Sequence, residues 1–405
     1  MKFKTKHIKH LYKKVFLVLF CISVSSCTEQ YVFQSNTFES ILVVQANITN
    51  ELKTQEIKIT RSYRLEEYGP PTEEGVNVYV TEDGSKSYEF EFEKATGLYV
   101  SKAPFQAVPE KSYQLHFTTK EGKSYSSSIE TLTPVNEINV EPKIETIDGE
   151  KGVQIRVTSF DPSAKSLFYR YEYDETYKIV APDWKPNKLI VAPFTTNGFP
   201  DFIVVPREEE TRVCFTTKKS DNLILVNTTD LSEDRIDLPI RFIGIAEPIL
   251  NERYSIIVRQ YVQNLESYTY YSTLKKLSTS ESIFSQVQPG FNYGNLKSDD
   301  NADEKIVGYF EVSSVSSKRI FFNFRDIFVA DPYPPYYIPC VPEELQNCWD
   351  AGPGCRGPKI LSIVKAPKTA GAYYGRFDDI FVFVPSPCGD CTSFSSNIRP
   401  LFWID

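Results

Sequence analysis

Few residues past the leader could make or break bonds. Of the three histidines, His7 and His10 lie within the first ten residues, which leaves His116 alone downstream. A Ser-His-Asp or Cys-His system would have to use it. In the alternating run Tyr113-Gln114-Leu115-His116-Phe117 it falls on the face opposite the apolar residues, where an exposed strand histidine sits. Histidine-based zinc hydrolysis generally takes two or more imidazoles. The cysteines Cys214, Cys340, Cys348, Cys355, Cys388 and Cys391 are even in number, and five lie beyond Ala330. In an exported chain they read as disulfides, with about 15 connectivities open. Cys388-Gly389-Asp390-Cys391 also has the spacing of a redox pair, though without the strand-before, helix-after setting that lowers a thiol pKa. A four-thiolate zinc site would need Cys348 and Cys355, whose separation is wide for a zinc knuckle. Asp299, Asn301 and Asp303 match the first three ligands of a calcium loop. Glu304 stands where that loop needs glycine and Phe310 where it needs glutamate, so a solvated acidic turn is the plainer reading. Trp184, Tyr333, Tyr336 and Tyr337, with Tyr373 and Tyr374, sit in or near proline-rich stretches. Such aromatics serve recognition of protein or carbohydrate when exposed, and ordinary packing when not.

Export is read from the start of the chain. Six lysines and no acid precede the apolar run VFLVLFCISVSSC, which is too short to span a bilayer. The run ends in Val24-Ser25-Ser26-Cys27, an aliphatic residue, two small ones and a cysteine, which is the order of a bacterial lipobox. Cys27 is therefore the expected lipidation site, and Cys21, behind bulky Phe20, is the poorer one. Acyl chains there would anchor the protein without a transmembrane helix. The formal net charge is −8; leaving out the six leader lysines makes it −14. That acidity argues against nucleic acid and against electrostatic docking on anionic lipid. No glycine-rich phosphate loop follows a strand, and no cofactor is expected.

The elements that must hold these residues are mostly strands. After a signal peptide over 1–26 and a tether over 27–38, period-two alternation recurs at Ile41 to Val44, Ile57 to Ile59, Val76 to Val80, Tyr88 to Phe92, Leu98 to Val100, Tyr113 to Phe117 and around Tyr125. This predicts an immunoglobulin- or fibronectin-like β-sandwich over 39–135, ending near Pro134. A second β-rich domain is expected over 136–329, with a long irregular excursion from Ala181 to Pro206 and one helix near 264–277 capped by Asn264. Residues 330–405 read as a disulfide-stapled, loop-rich cap. The fold class is thus mainly β, with two tandem sandwich-like domains.

Several short motifs spread over the chain resemble those of one family. They are Cys27 followed closely by Glu29, Leu42-Val43-Val44 running into Ile48-Thr49, Gly294-Asn295 before the acidic turn, Gly308-Tyr309-Phe310, Cys348-Trp349, the Cys388/Cys391 pair, and Pro400-Leu401-Phe402-Trp403. Together they resemble the Bacteroidota outer-membrane lipoproteins called the domain-of-unknown-function 4249 family. Ala46 and Asn50 depart from it, at positions where members often carry Gly and Asp, and both are expected in a turn. The resemblance implies an outer-membrane lipoprotein, an accessory of a TonB-dependent receptor or of another β-barrel machine, with no active site to transfer; the anchor, the all-β build and the scarcity of catalytic groups make a non-enzymatic binding or assembly role the expectation. It further implies display on the cell surface or in the periplasm; the acidic cluster that marks surface export is reduced here to Glu29. Capture of a carbohydrate or peptide for an importer, using the aromatics, is the alternative, and a carboxylate-dependent hydrolase a further one.

Overall fold

The computed structural model describes residues 39–405 apart from positions 65, 197, 280–291, 351 and 353, so the leader and Cys27 lie outside the described residues. Seven strands come first, where the alternation predicts them: β1 (Leu42–Thr49), β2 (Glu56–Arg61), β3 (Asn77–Glu82), β4 (Lys86–Glu93), β5 (Leu98–Ser101), β6 (Ser112–Thr118) and β7 (Ser124–Ser127). Their inward residues, among them Val44, Ile57, Val78, Leu115 and Phe117, form one core. Asp83 and Gly84 both take positive φ between β3 and β4, as a tight hairpin turn demands.

After the short β8 (Glu130–Thr131) come β9 (Ile138–Ile147), β10 (Glu150–Asp161), β11 (Phe168–Val180), β12 (Asn187–Thr196), β13 (Phe199–Pro206), β14 (Val213–Lys219), β15 (Ile224–Asn227), β16 (Asp234–Gly244) and β17 (Tyr254–Gln263). Helix α1 (Leu265–Thr279) follows, and Asn264 caps it by accepting from the Ser267 N–H at 2.8 Å. Next are β18 (Leu296–Ser298) and β19 (Ile306–Phe322). The three-stranded sheet β16-β10-β9 packs on β11 and β17 through Val153, Ile155, Val157, Tyr171 and Ile256, which gives the second half its own core.

Strand β19 joins the halves. Its first part pairs in parallel with β1, Leu42 opposite Ile306 through Thr49 opposite Ser313. Its remainder pairs antiparallel with β17, Val262 opposite Ser314 through Tyr254 opposite Phe322. The expected boundary near Pro134 therefore separates two cores but not the sheet. The crossing is itself bonded to β19 and β17, because Thr133 Oγ1 accepts from Ser314 N and donates to Val262 O, each at 2.8 Å.

The glycine motifs belong to this junction. Gly308 has φ +141°, and a Cβ there would lie 2.1 Å from the Val44 carbonyl oxygen. A Cβ on Gly294 would in turn meet the Gly308 carbonyl at 1.6 Å. Beside them Asn295 acts as a strand partner, accepting from Phe310 N and donating to Phe310 O, both at 2.8 Å. Backbone strain plus steric overlap at Gly308→Ala should lower stability by about 3 kcal/mol, read as the shift in a urea unfolding midpoint. Ala46 lies inside β1 and is buried, rather than in the expected turn. Asn50 follows β1 and accepts from Val315 N at 2.7 Å, a bond that an aspartate would also make.

Two regions are more regular than the sequence suggests. The expected excursion over 181–206 is a hairpin, β12 with β13, turned at Gly198 with φ +82°. Asn, Pro and Gly interrupt its alternation and conceal it. The C-terminal segment holds β20 (Glu343–Gln346), helix α2 (Gly357–Lys365), β21 (Ala372–Phe377) and β22 (Ile380–Val384), with sheet order β20-β22-β21. Leu189 and Phe202 from the hairpin share a core with Leu345, Ile360, Ile363, Phe381 and Phe383, so excursion and cap pack as one unit. Three disulfides staple it: Cys214–Cys391, Cys340–Cys388 and Cys348–Cys355. The chain end folds back, with Trp403 edge-on to Phe215 and Phe321.

Candidate functional site

The residues singled out for chemistry mostly have other partners. His116 stacks on Tyr79 at 5.0 Å, and its Nε2 lies 3.5 Å from Thr81 Oγ1. Its cross-strand neighbour Ser126 donates instead to Asp299 Oδ1 at 2.5 Å, so serine, histidine and aspartate are adjacent but not in relay order. Burial holds the imidazole below its ordinary pKa. Cys388 and Cys391 are bonded to Cys340 and Cys214 rather than to one another, which removes the redox pair and leaves no thiolate of the six for zinc. Asp299, Asn301 and Asp303 form an exposed turn between β18 and β19. There Asn301 Oδ1 accepts from Asp303 N at 3.1 Å, and Asp299 is engaged with Ser126.

The aromatics are largely packed. Tyr336 meets Tyr337 edge-on at 5.3 Å and donates to Pro387 O at 2.8 Å; burial pushes its hydroxyl up to about 12. Tyr337 lies 5.3 Å from Phe394. Tyr333 is half exposed, against Phe324 and under Arg325. Trp184 donates from Nε1 to Thr211 Oγ1 at 3.0 Å.

That last bond leads to a concave site, a 530 Å³ groove between β12 and the cap. Its floor is apolar, from Leu189, Ile363 and Phe383, and Tyr373 stands beside it. Arg207, just past β13, is fixed at its side. Nε donates to the carbonyls of Lys185 at 3.1 Å and Asn187 at 3.3 Å, and Nη1 donates to Thr211 Oγ1 at 3.4 Å. Asp390 Oδ2 is 3.7 Å from Nη1, and the two side chains are only 9% and 8% exposed. Asp390 Oδ1 is occupied by Thr392, accepting from N at 2.9 Å and from Oγ1 at 2.6 Å. Burial draws the guanidinium pKa down, and the nearby carboxylates of Asp390 and Glu209 oppose it. A charged donor held by its other nitrogens over an apolar floor suits an amphipathic ligand with an acceptor group. Of the residues flagged in the sequence, Tyr373 lines this groove, Trp184 bonds its Thr211, and Cys391 lies between its Asp390 and Thr392. Arg207 and Asp390 went unseen. Their faint signals are one arginine ahead of Glu208-Glu209-Glu210 and an acid enclosed between two cysteines.

A second buried cluster is structural. Arg170 lies between the rings of Tyr261 and Tyr271, 4.3 and 5.0 Å from their centroids, and bonds Glu172 and Glu311. Burial, the largest single influence, disfavours this charge, but Glu311, Tyr271, Glu172 and Tyr261 together outweigh it and raise the pKa. Gln263 donates to Glu311 at 3.0 Å, so β11, β17 and β19 are tied together. Glu311→Ala would take away the buried partner of a buried cation, leaving it only the more exposed Glu172, and should cost about 3 kcal/mol in thermal or urea unfolding.

The protein is thus a mainly β, disulfide-stapled chain whose two cores share one sheet. Residues 28–319 match the model of the family described as domain of unknown function DUF4249, and the chain belongs to that family. The match ends inside β19, ahead of the stapled segment. No curated protein matches the chain.

Proposed function

We propose that the protein is a lipid-anchored, non-enzymatic binding subunit of the outer membrane. It engages a β-barrel partner, either a TonB-dependent transporter or a barrel assembly or export machine. The lipobox at Cys27 and the lipoprotein character that the resemblance implies support the anchor, and cell-surface display is the orientation we assign. The observation that carries the binding role is the groove beside Arg207, which fixes one charged donor over an apolar floor, while His116 bonds toward Thr81 and away from Ser126. That arrangement holds a ligand better than it transforms one. The groove also favours a second reading, in which the subunit captures a peptide or carbohydrate and passes it to an importer. Affinity purification of the full chain from membranes in mild detergent tests the main reading. A barrel protein should co-purify in near-stoichiometric amount; recovery as a lone monomer would contradict it.

A further inference from the structure

Two free strand edges meet at the groove. Among the described residues β12 is hydrogen-bonded to β13 alone and β21 to β22 alone, and although β12 and β21 approach one another, no ladder joins them. Three consecutive β12 residues, Lys188, Leu189 and Ile190, line the cavity. An unpaired edge offers main-chain donors and acceptors to an incoming extended segment. Arg207 supplies a third element: Nε and Nη1 are occupied, Nη1 also facing Asp390 at 3.7 Å, whereas Nη2 makes no hydrogen bond among the described residues. Lys368, exposed and lining the same groove, adds positive charge, while Glu209 is paired with Lys188 at 3.1 Å.

We propose that the groove binds the C terminus of another protein, with the terminal carboxylate on Arg207 Nη2, the last apolar side chain on Leu189, Ile363 and Phe383, and the backbone along the edge of β12. The carboxylate source follows from geometry. Adjacent side chains of an extended strand point to opposite faces and those sharing a face lie about 7 Å apart, so an internal acid and an apolar side chain reach one small cavity less compactly than a single residue bearing both groups. A C-terminal residue carries its carboxylate and its side chain on the same Cα and satisfies both. Asp390 does not block this arrangement, because it lies on the Nη1 side and spends its other oxygen on Thr392. The size is suitable too, as 530 Å³ falls within the range of small-ligand pockets and admits only a short terminal stretch.

The inference rests on reading the groove as a binding site, and not on membrane docking, so its failure and that of barrel engagement are separable. The test is fluorescence anisotropy of the full chain in detergent, with labelled tetrapeptides ending in Leu, Val or Phe. Each is made as the free acid and as the C-terminal amide, alongside amidated peptides with an internal glutamate. At least one free acid should saturate, and its amide should bind about tenfold or more weaker, the effect of losing one charged hydrogen bond. Arg207→Gln should bring acid and amide to the same affinity. Because Arg207 also anchors local backbone, its thermal melt is compared, and the exposed Lys368→Gln should weaken the acid severalfold without moving the melt. Equal affinity for acid and amide, no saturation by about 1 mM, or internal-glutamate amides binding as well as the free acids would each overturn the proposal.

Discussion

Cys27→Ser is expected to release the protein from membranes. Nothing in the composition offers a second hold: the charge outside the leader is acidic, and no helix among the described residues is long and apolar enough to cross a bilayer. Each buried methylene of an acyl chain contributes about 0.8 kcal/mol, and stable anchoring takes two chains or an equivalent second signal. A modified Cys27 would carry both at one residue, so its loss should act almost as a switch. The fraction of purified protein pelleting with protein-free lipid vesicles should fall more than about tenfold and palmitate labelling should vanish, because the partition energy is summed over whole chains. Cys21→Ser should leave both unchanged. A Cys27→Ser protein that still pellets and still takes label would refute the anchor.

The second large effect concerns the staples. Cys214–Cys391 closes a loop with a sequence separation of 177, Cys340–Cys388 one of 48 and Cys348–Cys355 one of 7. In the chain-entropy model their removal costs about 5, 4 and 2.5 kcal/mol respectively. The first loss should also be the most disruptive to the groove. Cys391 sits beside Asp390, and its N–H donates at 2.9 Å to the carbonyl of Thr211, the threonine whose Oγ1 holds both Trp184 and Arg207. Paired serine variants, melted under non-reducing conditions, should therefore lose stability in the order of loop length. The Cys214/Cys391 variant should also show faster proteolysis beyond residue 330. Equal effects, or the short loop proving the most important, would contradict this ordering.

What the sequence disclosed followed the range of the interactions. Strands β1 to β7 and the Asn264 cap are local patterns, an alternation and a capping side chain, and they stand where expected. The parallel pairing of β1 with β19 is not local: Leu42-Val43-Val44 and Gly308-Tyr309-Phe310 are visible as separate motifs, but nothing in either names the other as its neighbour. Several family-like motifs turn out to serve packing. Gly308 admits the Val44 carbonyl, Asn295 replaces a strand partner, and Trp349 stacks on Phe199 at 5.4 Å. The groove was least legible, because Arg207 and Asp390 are brought together by a hairpin hidden among Pro and Gly and by a disulfide whose partner the sequence could not choose. Its aromatics were visible, yet residue type alone does not separate a packed tyrosine such as Tyr336 from one that lines a cavity, such as Tyr373.

Cross-linking mass spectrometry on intact outer membranes, with a short amine-reactive linker, tests the binding role most directly. The account predicts cross-links from the body of this chain, including Lys188 or Lys368 at the groove, to one outer-membrane β-barrel protein. Cross-links confined to the chain itself, with a lone monomer after solubilisation, would contradict it.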